Sequence, residues 1–399
     1  MQRDIFPYPM LKIGIIGGGQ LGKMMSQIAK QMGFYVAVLD PTPNCPAAHV
    51  ADVQIVGGLY EADKIRALAE CCDVLTFEVE HIDTITLKSL AAEGKQIFPA
   101  PELLEIIQDK LLQKQALEQH GVPVAPCLSF DEVTAANIAK LSFPVVQKAR
   151  KGGYDGKGVQ ILRSAADFEN ALPQPFYLEA FIPFEKELAV MVARDQQGKI
   201  ACYPVVEMLF DDKTNICDIV AAPANISPEL TEQAKQVAIH AIEALNGVGI
   251  FGVEMFLTPD GKVLVNEIAP RPHNSGHYTI EACITCQYEQ LIRVVAGLPL
   301  GATTLLMPAV MLNLLGEAGY SGEPLIEGLH EALAIEGLAF HLYGKPSTQP
   351  FRKMGHITIV DKDLSQAMEK MYRIKNRLKI KAVSIQTQPH LSSDQSIDR

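Results

Sequence analysis

The chain contains no tryptophan, so neither its core nor any binding platform rests on an indole ring. It also lacks a basic excess: 35 Lys and Arg stand against 46 Asp and Glu, a formal net charge of -11. That balance excludes a general nucleic-acid binder, which needs surplus positive charge for phosphate contacts. No apolar run reaches the roughly 18 residues that cross a bilayer, and the opening MQRDIFPYPM lacks the charged-then-apolar order of a secretory signal. The cysteines are scattered, at 45, 71, 72, 127, 202, 217, 283 and 286, which does not read as a disulfide framework. Only Cys283-Ile-Thr-Cys286 has redox or metal spacing, with no second pair or ligand set beside it, so buried structural thiols are expected. Reduced cysteines, no membrane partner and no nucleic-acid partner together give a cytoplasmic expectation. Missing as well are the phosphate-binding string GxxxxGK[ST] and the zinc-binding string HExxH.

With 399 residues, 48% of them hydrophobic, the chain can bury two or three cores and divides into several domains. Short apolar strands are expected at 11–16, 35–40, 53–56, 74–77 and 95–98, separated by helix-length segments. This alternation predicts an α/β unit over 1–104, a half-Rossmann parallel sheet with helices on its faces. One helix is expected from Glu102 to about His120, with Lys110 and Lys114 on one face, until GVPVAP breaks it. Strands at 144–149, 158–162 and 176–179 then suggest a small α+β unit over about 125–185, with a glycine-rich loop at its edge. Val248–Leu257 and Lys262–Ile268 form a hairpin about Thr258-Pro-Asp-Gly261. The second domain spans 105–300, a C-terminal domain follows over 301–380 with strands at 339–343 and 355–360, and residues 381–399 read as a disordered tail. No internal repeat is present.

Three groups of residues carry chemistry. Gly14-Ile-Ile-Gly17-Gly-Gly19-Gln20-Leu-Gly22 follows a strand and opens a helix, with Asp40 at the end of the next strand. It suits an anionic substrate phosphate at the helix start, a dinucleotide, or a merely tight turn. The second group is Lys148 ahead of Gly152-Gly153-Tyr154-Asp155-Gly156-Lys157-Gly158, where glycines let successive N–H groups turn toward phosphate oxygens. The third is the hairpin pair Glu254 and Glu267, with Glu254 placed opposite Val265 and Glu267 two residues on along the same face. Two such carboxylates between apolar strand residues repel one another, and Mg2+ held by them, with Asn266, phosphate and water, relieves the repulsion. Arg271, His273, Asn274 and His277 follow at once and suit a small planar anion, with His277 read as a local hydrogen-bond partner. Lys345, Arg352 and Lys353 gather three cations near the C-terminus, either solvated or facing a cleft.

Taken together, Lys148 with GGYDGKG, the string Leu178-Glu179-Ala180-Phe181-Ile182, Glu187, Glu254 with VNEIAPRPHNSGH, and YGK with FRKMGH resemble the ATP-grasp enzymes. Among these the resemblance is to the N5-carboxyaminoimidazole ribonucleotide synthase family, and it runs from the IIGGGQLG loop to GHITIV. It implies an ATP-grasp domain over 105–300, with the unit at 125–185 as its lid. Lys110 and Lys148 would contact ATP phosphates, with 153–158 closing over them. Glu179 to Ile182 would read adenine, Glu187 would accept the ribose hydroxyls, and Glu254 and Glu267 would hold Mg2+. Arg271, His273, Asn274 and Lys353 would face bicarbonate or carboxyphosphate. Gln20, Tyr154, Asp155, Arg271, Lys345 and Arg352 would position 5-aminoimidazole ribonucleotide, with Glu78 near its base or amine and Asp155 a candidate base. A homodimer is implied too. Phe210 departs from the pattern, standing where such enzymes commonly place a histidine close to the nucleotide. Two rival readings are an NAD-dependent oxidoreductase, which leaves Glu254, Glu267 and GGYDGKG without a task, and an ATP-grasp ligase with a different acceptor.

Overall fold

A computed structural model of the chain describes residues 11–129, 138, 141–153, 158–170, 172, 175–211 and 216–383. Five short strands come first: β1 (Lys12–Ile16), β2 (Tyr35–Asp40), β3 (Val53–Val56), β4 (Val74–Phe77) and β5 (Gln96–Ile97). They pair in parallel in the order β3-β2-β1-β4-β5. Helices α1 (Gln20–Gln31), α2 (Ala62–Cys71) and α3 (Thr84–Ala92) connect them. Continuous burial of β1, β2 and β4 explains their unbroken apolar runs, because a parallel sheet covered on both faces has no wet side.

The expected single helix after Glu102 is two. α4 (Pro101–Gln108) ends at Asp109, whose extended backbone interrupts the ladder while its side chain accepts from the N–H groups of Leu111 and Leu112 to start α5 (Lys110–Gln119). Asp109 also pairs with Arg150 at 2.7 Å, so the break ties α5 to the strand that carries Lys148. That strand belongs to an antiparallel sheet of β6 (Cys127–Ser129), β7 (Val145–Ala149), β8 (Val159–Leu162) and β9 (Phe176–Ala180), in the order β6-β9-β7-β8. Its core is small, built on Val145, Leu162, Phe176 and Leu178.

Among the described residues, a nine-stranded sheet forms the centre of the molecule. Its strands are β10 (Lys186–Arg194), β11 (Ile200–Cys202), β12 (Val206–Phe210), β13 (Cys217–Ala222), β14 (Gly249–Leu257), β15 (Val263–Ala269) and β16 (Ala309–Leu315). After β17 (Pro324–Glu327) come its last two members, β18 (Leu338–Leu342) and β19 (Lys353–Val360). After residue 301, β16, β18 and β19 therefore extend the central sheet through the β13–β16 pairing. β17 pairs instead with β20 (Lys379–Ala382), so Lys381 and Ala382, assigned from sequence to the tail, lie in a strand, and 384–399 fall outside the described residues.

Helix α6 (Pro228–Ala244) starts with a Ser227 cap and proline in its first turn, and lays Ala234, Ala238 and Ala241 on the central sheet, small side chains that permit close approach. On the other face, Met24, Met25 and Ala29 of α1 share one core with Leu291, Ile292 and Val295 of the helix Gln287–Val295. That shared core fixes the N-terminal sheet against the central one, and a cavity opens where they meet. No helix among the described residues is long and apolar enough to cross a membrane.

Candidate active site

The cavity has a volume of about 790 Å3 and draws its lining from the N-terminal, the small antiparallel and the central sheets and the segments that adjoin them, including Gln20, Glu78, Lys148, Glu187, Glu254 and Lys353. The hairpin β14–β15 supplies its acidic floor. Its register differs from the expected one: Met255 faces Val265, and Glu254 faces Glu267 directly, because the ladder slips between Glu254 and Met255. Asn266 is the extra residue of this bulge, a device that re-aims side chains at sheet edges and sites. Burial and then the neighbouring Glu267 carboxylate push Glu254 up to about 8. Glu267, although burial opposes it, is held below the ordinary carboxylate value by Lys110, with which it pairs directly. One carboxylate of the pair is thus neutralised inside the protein and the other is not. Among the described residues no cluster of three or more His, Cys, Asp or Glu side chains is preformed for a metal. A Mg2+ ion fits this donor set, since it takes one or two carboxylates and leaves its other positions to phosphate and water.

The helical spacing puts Lys110 and Lys114 on one face of α5 as expected, and of the two it is Lys110 that lines the cavity. Lys114 is buried and donates to Glu179 at 3.1 Å and to the Val265 carbonyl at 3.1 Å. Lys148, from β7, reaches the other oxygen of Glu179 at 3.1 Å and Asn266 Oδ1 at 3.0 Å. Burial opposes the charge on Glu179, but Lys114 and then Lys148 keep its carboxyl below its ordinary value. Here Glu179 is the counter-ion that aligns two lysines, and the edge of the cavity beside it is formed by Ala180, Phe181 and Ile182. Phe184 and Phe256 stack with centroids 4.8 Å apart, and with Met208 and Phe210 they make an apolar wall suited to a flat ring. Glu187 lies beside this wall, its carboxyl raised to about 7, chiefly by burial.

The glycine-rich start of α1 does not stand open for an anion. Gly19 and Gly22 donate their N–H groups to the two oxygens of Glu78, so the protein's own carboxylate occupies the helix N-terminus. Gly17, at φ +98°, passes so close that an added Cβ would sit 2.4 Å from Glu78 Cγ, which explains why glycine is required there. Asp40 accepts from the N–H of Gly18 at 2.8 Å and of Thr42 at 2.8 Å. Both features that suggested a dinucleotide or a substrate phosphate at this turn are consumed by internal contacts. Two residues beyond Glu78, Glu80 grips Arg271 through two hydrogen bonds of 2.6 and 2.9 Å. Burial opposes its charge, but the guanidinium holds Glu80 down to about 2.

His273, Asn274 and Lys353 gather on the same side. His273 Nε2 lies 3.3 Å from Glu254 Oε1, and burial, with Arg271 and Lys353 nearby, lowers its pKa to about 4. Asn274 exchanges two amide hydrogen bonds of 2.8 Å with Asn313 of β16, which is how the C-terminal strands fix this corner. Lys345 and Arg352 do not line the cavity: Lys345 donates to the Lys353 carbonyl at 2.7 Å, and Arg352 to the Ser347 carbonyl at 2.8 Å. Gly152 and Gly153 reach the lining and Gly158 follows at φ +77°, whereas Tyr154, Asp155, Gly156 and Lys157 lie outside the described residues. Sequence reasoning left out Glu80 and Lys114 as site residues. Glu80 carried a signal in lying two positions from Glu78 within TFEVEH, and Lys114 in its i,i+4 relation to Lys110. All eight cysteines are free thiols, and Cys283 and Cys286 are buried as expected.

Residues 115–288 match the ATP-grasp domain, residues 10–108 the ribonucleotide synthetase preATP-grasp domain, and residues 309–370 the phosphoribosylaminoimidazole carboxylase C-terminal domain. The chain is 42% identical over 362 residues to N5-carboxyaminoimidazole ribonucleotide synthase of Synechococcus elongatus, covering 88% of this chain and 90% of that one. The structure of N5-carboxyaminoimidazole ribonucleotide synthetase from Thermotoga maritima superposes with a TM-score of 0.88 at 56% identity, over 94% of this chain and all of that one. The chain belongs to the N5-carboxyaminoimidazole ribonucleotide synthase family. Against the chloroplastic phosphoribosylaminoimidazole carboxylase of Vigna aconitifolia, at 43% identity over 362 residues, it covers 88% of its own length and spans 64% of that relative's. Membership in this ATP-grasp family accounts for a cavity walled by an N-terminal parallel sheet, a small antiparallel sheet and a central sheet together.

Proposed function

We propose that this chain is an ATP-dependent carbon-nitrogen ligase that converts 5-aminoimidazole ribonucleotide, bicarbonate and ATP to N5-carboxyaminoimidazole ribonucleotide, ADP and phosphate, a step of purine biosynthesis. The observation that supports this most is the meeting, in one cavity, of the Glu254–Glu267 pair with Lys110, Lys148, Arg271, His273 and Lys353. The carboxylates suit Mg2+, and the cations suit transferring phosphoryl and carboxyl groups. Magnesium, when bound by Glu254 and Glu267, supplies charge neutralisation for the phosphates.

In this reading Lys148 and Lys110 hold the phosphates of ATP, the apolar wall with Phe184 and Phe256 takes the adenine, and Glu187 takes the ribose hydroxyls. Arg271, His273, Asn274 and Lys353 orient bicarbonate so that its oxygen attacks the γ-phosphorus as ADP leaves. The resulting carboxyphosphate breaks its C–O bond to give CO2 and phosphate. The exocyclic amine attacks CO2, and the amine proton passes to the phosphate just released, so the atoms and charges balance without a protein nucleophile. Exclusion of water keeps carboxyphosphate from hydrolysis, a task for the loop at 153–158. Gln20 and Glu78 flank the place for aminoimidazole ribonucleotide, and the protein acts as a homodimer.

The test is ADP release from Mg-ATP and bicarbonate, with and without aminoimidazole ribonucleotide, together with transfer of label from bicarbonate. Release stimulated by the ribonucleotide, with label in an acid-labile carbamate, is the expected result. ATP turnover indifferent to that substrate would replace the reading with an ATP-grasp ligase for another acceptor.

A further inference from the structure

His277 lines the cavity yet is nearly enclosed, only 2% exposed, and the hydrogen bonds around it fix which of its nitrogens carries the proton. Gln287 is the first of the partners that do so. The His273 backbone N–H donates to Gln287 Oε1 at 2.9 Å, and Gln287 Nε2 donates to the His273 carbonyl at 2.9 Å. These two bonds orient the amide without ambiguity, because a backbone N–H only donates and a carbonyl only accepts. The second hydrogen of Gln287 Nε2 is then directed at His277 Nδ1, 3.2 Å away. Tyr288, fully buried, has its hydroxyl 3.0 Å from the same nitrogen. Nδ1 therefore accepts, and the proton of the neutral ring resides on Nε2. The ring is held from its side by His356, with centroids 4.6 Å apart, and His356 is itself anchored by the Tyr343 hydroxyl at 3.0 Å.

The charge state agrees with this arrangement. Burial first, then His273 and Lys353, keep His277 well below the ordinary histidine value, with His341 and Arg271 acting in the same direction. A neutral imidazole whose Nδ1 is blocked by two donors cannot serve as a base at neutral pH. It can serve as a preorganised donor, like the side chains that stabilise an oxyanion.

We propose that His277 contacts substrate in this enzyme, its Nε2–H donating to an oxygen of the carboxyl group being transferred, beside His273, Asn274 and Lys353. This deepens the ligase reading above and rests on it. Gln287 and Tyr288 are positioning residues in this scheme, since they act only by holding Nδ1 as an acceptor. The same logic explains a glycine: a Cβ at Gly276 would lie 2.4 Å from Gln287 Oε1 and would displace the amide that sets the tautomer.

Three variants and one spectrum test it. A glutamine at 277 reaches with its amide nitrogen about as far as Nε2, whereas asparagine reaches only as far as Nδ1 and leucine supplies no donor. His277→Asn and His277→Leu are expected to lose about 10²-fold in kcat for label transfer from bicarbonate. His277→Gln is expected to stay within about tenfold of the parent, and all three to bind ATP as the parent does. In the parent, 15N spectra of the histidine rings between pH 6 and 8 are expected to show His277 protonated at Nε2 and bare at Nδ1. A proton on Nδ1 overturns the inference, as does His277→Leu with unchanged kcat, or equal losses in the asparagine and glutamine variants. A parent enzyme that ignores aminoimidazole ribonucleotide fails at an earlier point and overturns the ligase reading itself.

Discussion

Two pairs of glutamates line the cavity, and in each burial raises one carboxyl while a cation holds the other down, with different partners in the two pairs. Glu78 and Glu80 lie just after β4, where Glu78 receives two backbone N–H groups from the start of α1 and Glu80 receives a bidentate guanidinium. Glu254 and Glu267 face each other across a bulged hairpin, where Glu267 pairs directly with Lys110 and Glu254 has His273 at 3.3 Å. Glu80 is held down to about 2, and Glu254 is pushed up to about 8. Glu80, compensated by Arg271, is part of the wall, whereas burial keeps Glu78 above the ordinary carboxylate value in spite of its two backbone partners. Glu254, which burial and Glu267 keep raised in spite of Lys110 and Lys353 nearby, is where a ligand's positive charge has most to compensate.

This contrast can be broken at several points. The largest effect is expected for Glu254→Gln, which keeps the size of the side chain and removes its capacity for negative charge. Its urea midpoint at pH 7 without divalent ions should match that of the parent, while Mg-dependent ADP release falls by roughly 10³-fold, several kcal/mol of lost charge stabilisation. An equal loss of stability would place Glu254 among the internally compensated acids.

Arg271→Met is expected to act on the other wall by leaving Glu80 without its partner, at a cost of about 2–4 kcal/mol in urea unfolding at pH 7. The sign with pH follows from the depressed carboxyl of Glu80. Its contribution is fully present above the ordinary value of 4.5 and is lost as pH falls toward about 2. The stability curves of parent and variant should therefore converge across that window, and curves that stay parallel would show that the pair is not the source. The smallest effect is expected for Phe210→His, because Phe210 already belongs to an apolar wall with Phe184, Met208 and Phe256. ATP affinity should change by no more than about threefold, a shift of roughly 0.6 kcal/mol; a larger gain would mean that nucleotide binding suffers from the phenylalanine.

The strands were legible because their apolar runs and turn residues are local: β1, β2, β3 and β4 match the expected spans to within a residue, as does the hairpin about Thr258 to Gly261. Candidate site residues were marked largely through strings: Glu254, Glu267, Arg271, His273 and Lys353 were all singled out by their neighbours, and all line the cavity. The helix break at Asp109 was not, because nothing within Glu102 to His120 announces that Asp109 will be engaged by Arg150. Nor was the hairpin register: an unbulged count sets Glu254 against Val265, two residues from its partner Glu267.

Composition, periodicity and motif by themselves determined the α/β opening, the antiparallel units that follow, the acidic pair and the lysine beside a glycine-rich loop. Each of these depends on residues that are close in the chain, where backbone geometry alone sets which side chains share a face. Only the tertiary structure decided that Glu78 fills the helix N-terminus, that Glu80 holds Arg271 across 191 positions, that Asn313 pins Asn274, and that Gln287 sets the proton on His277. Those are pairings between distant segments, fixed when the N-terminal and central sheets close on a shared core, and no local pattern encodes the partner of a buried polar group.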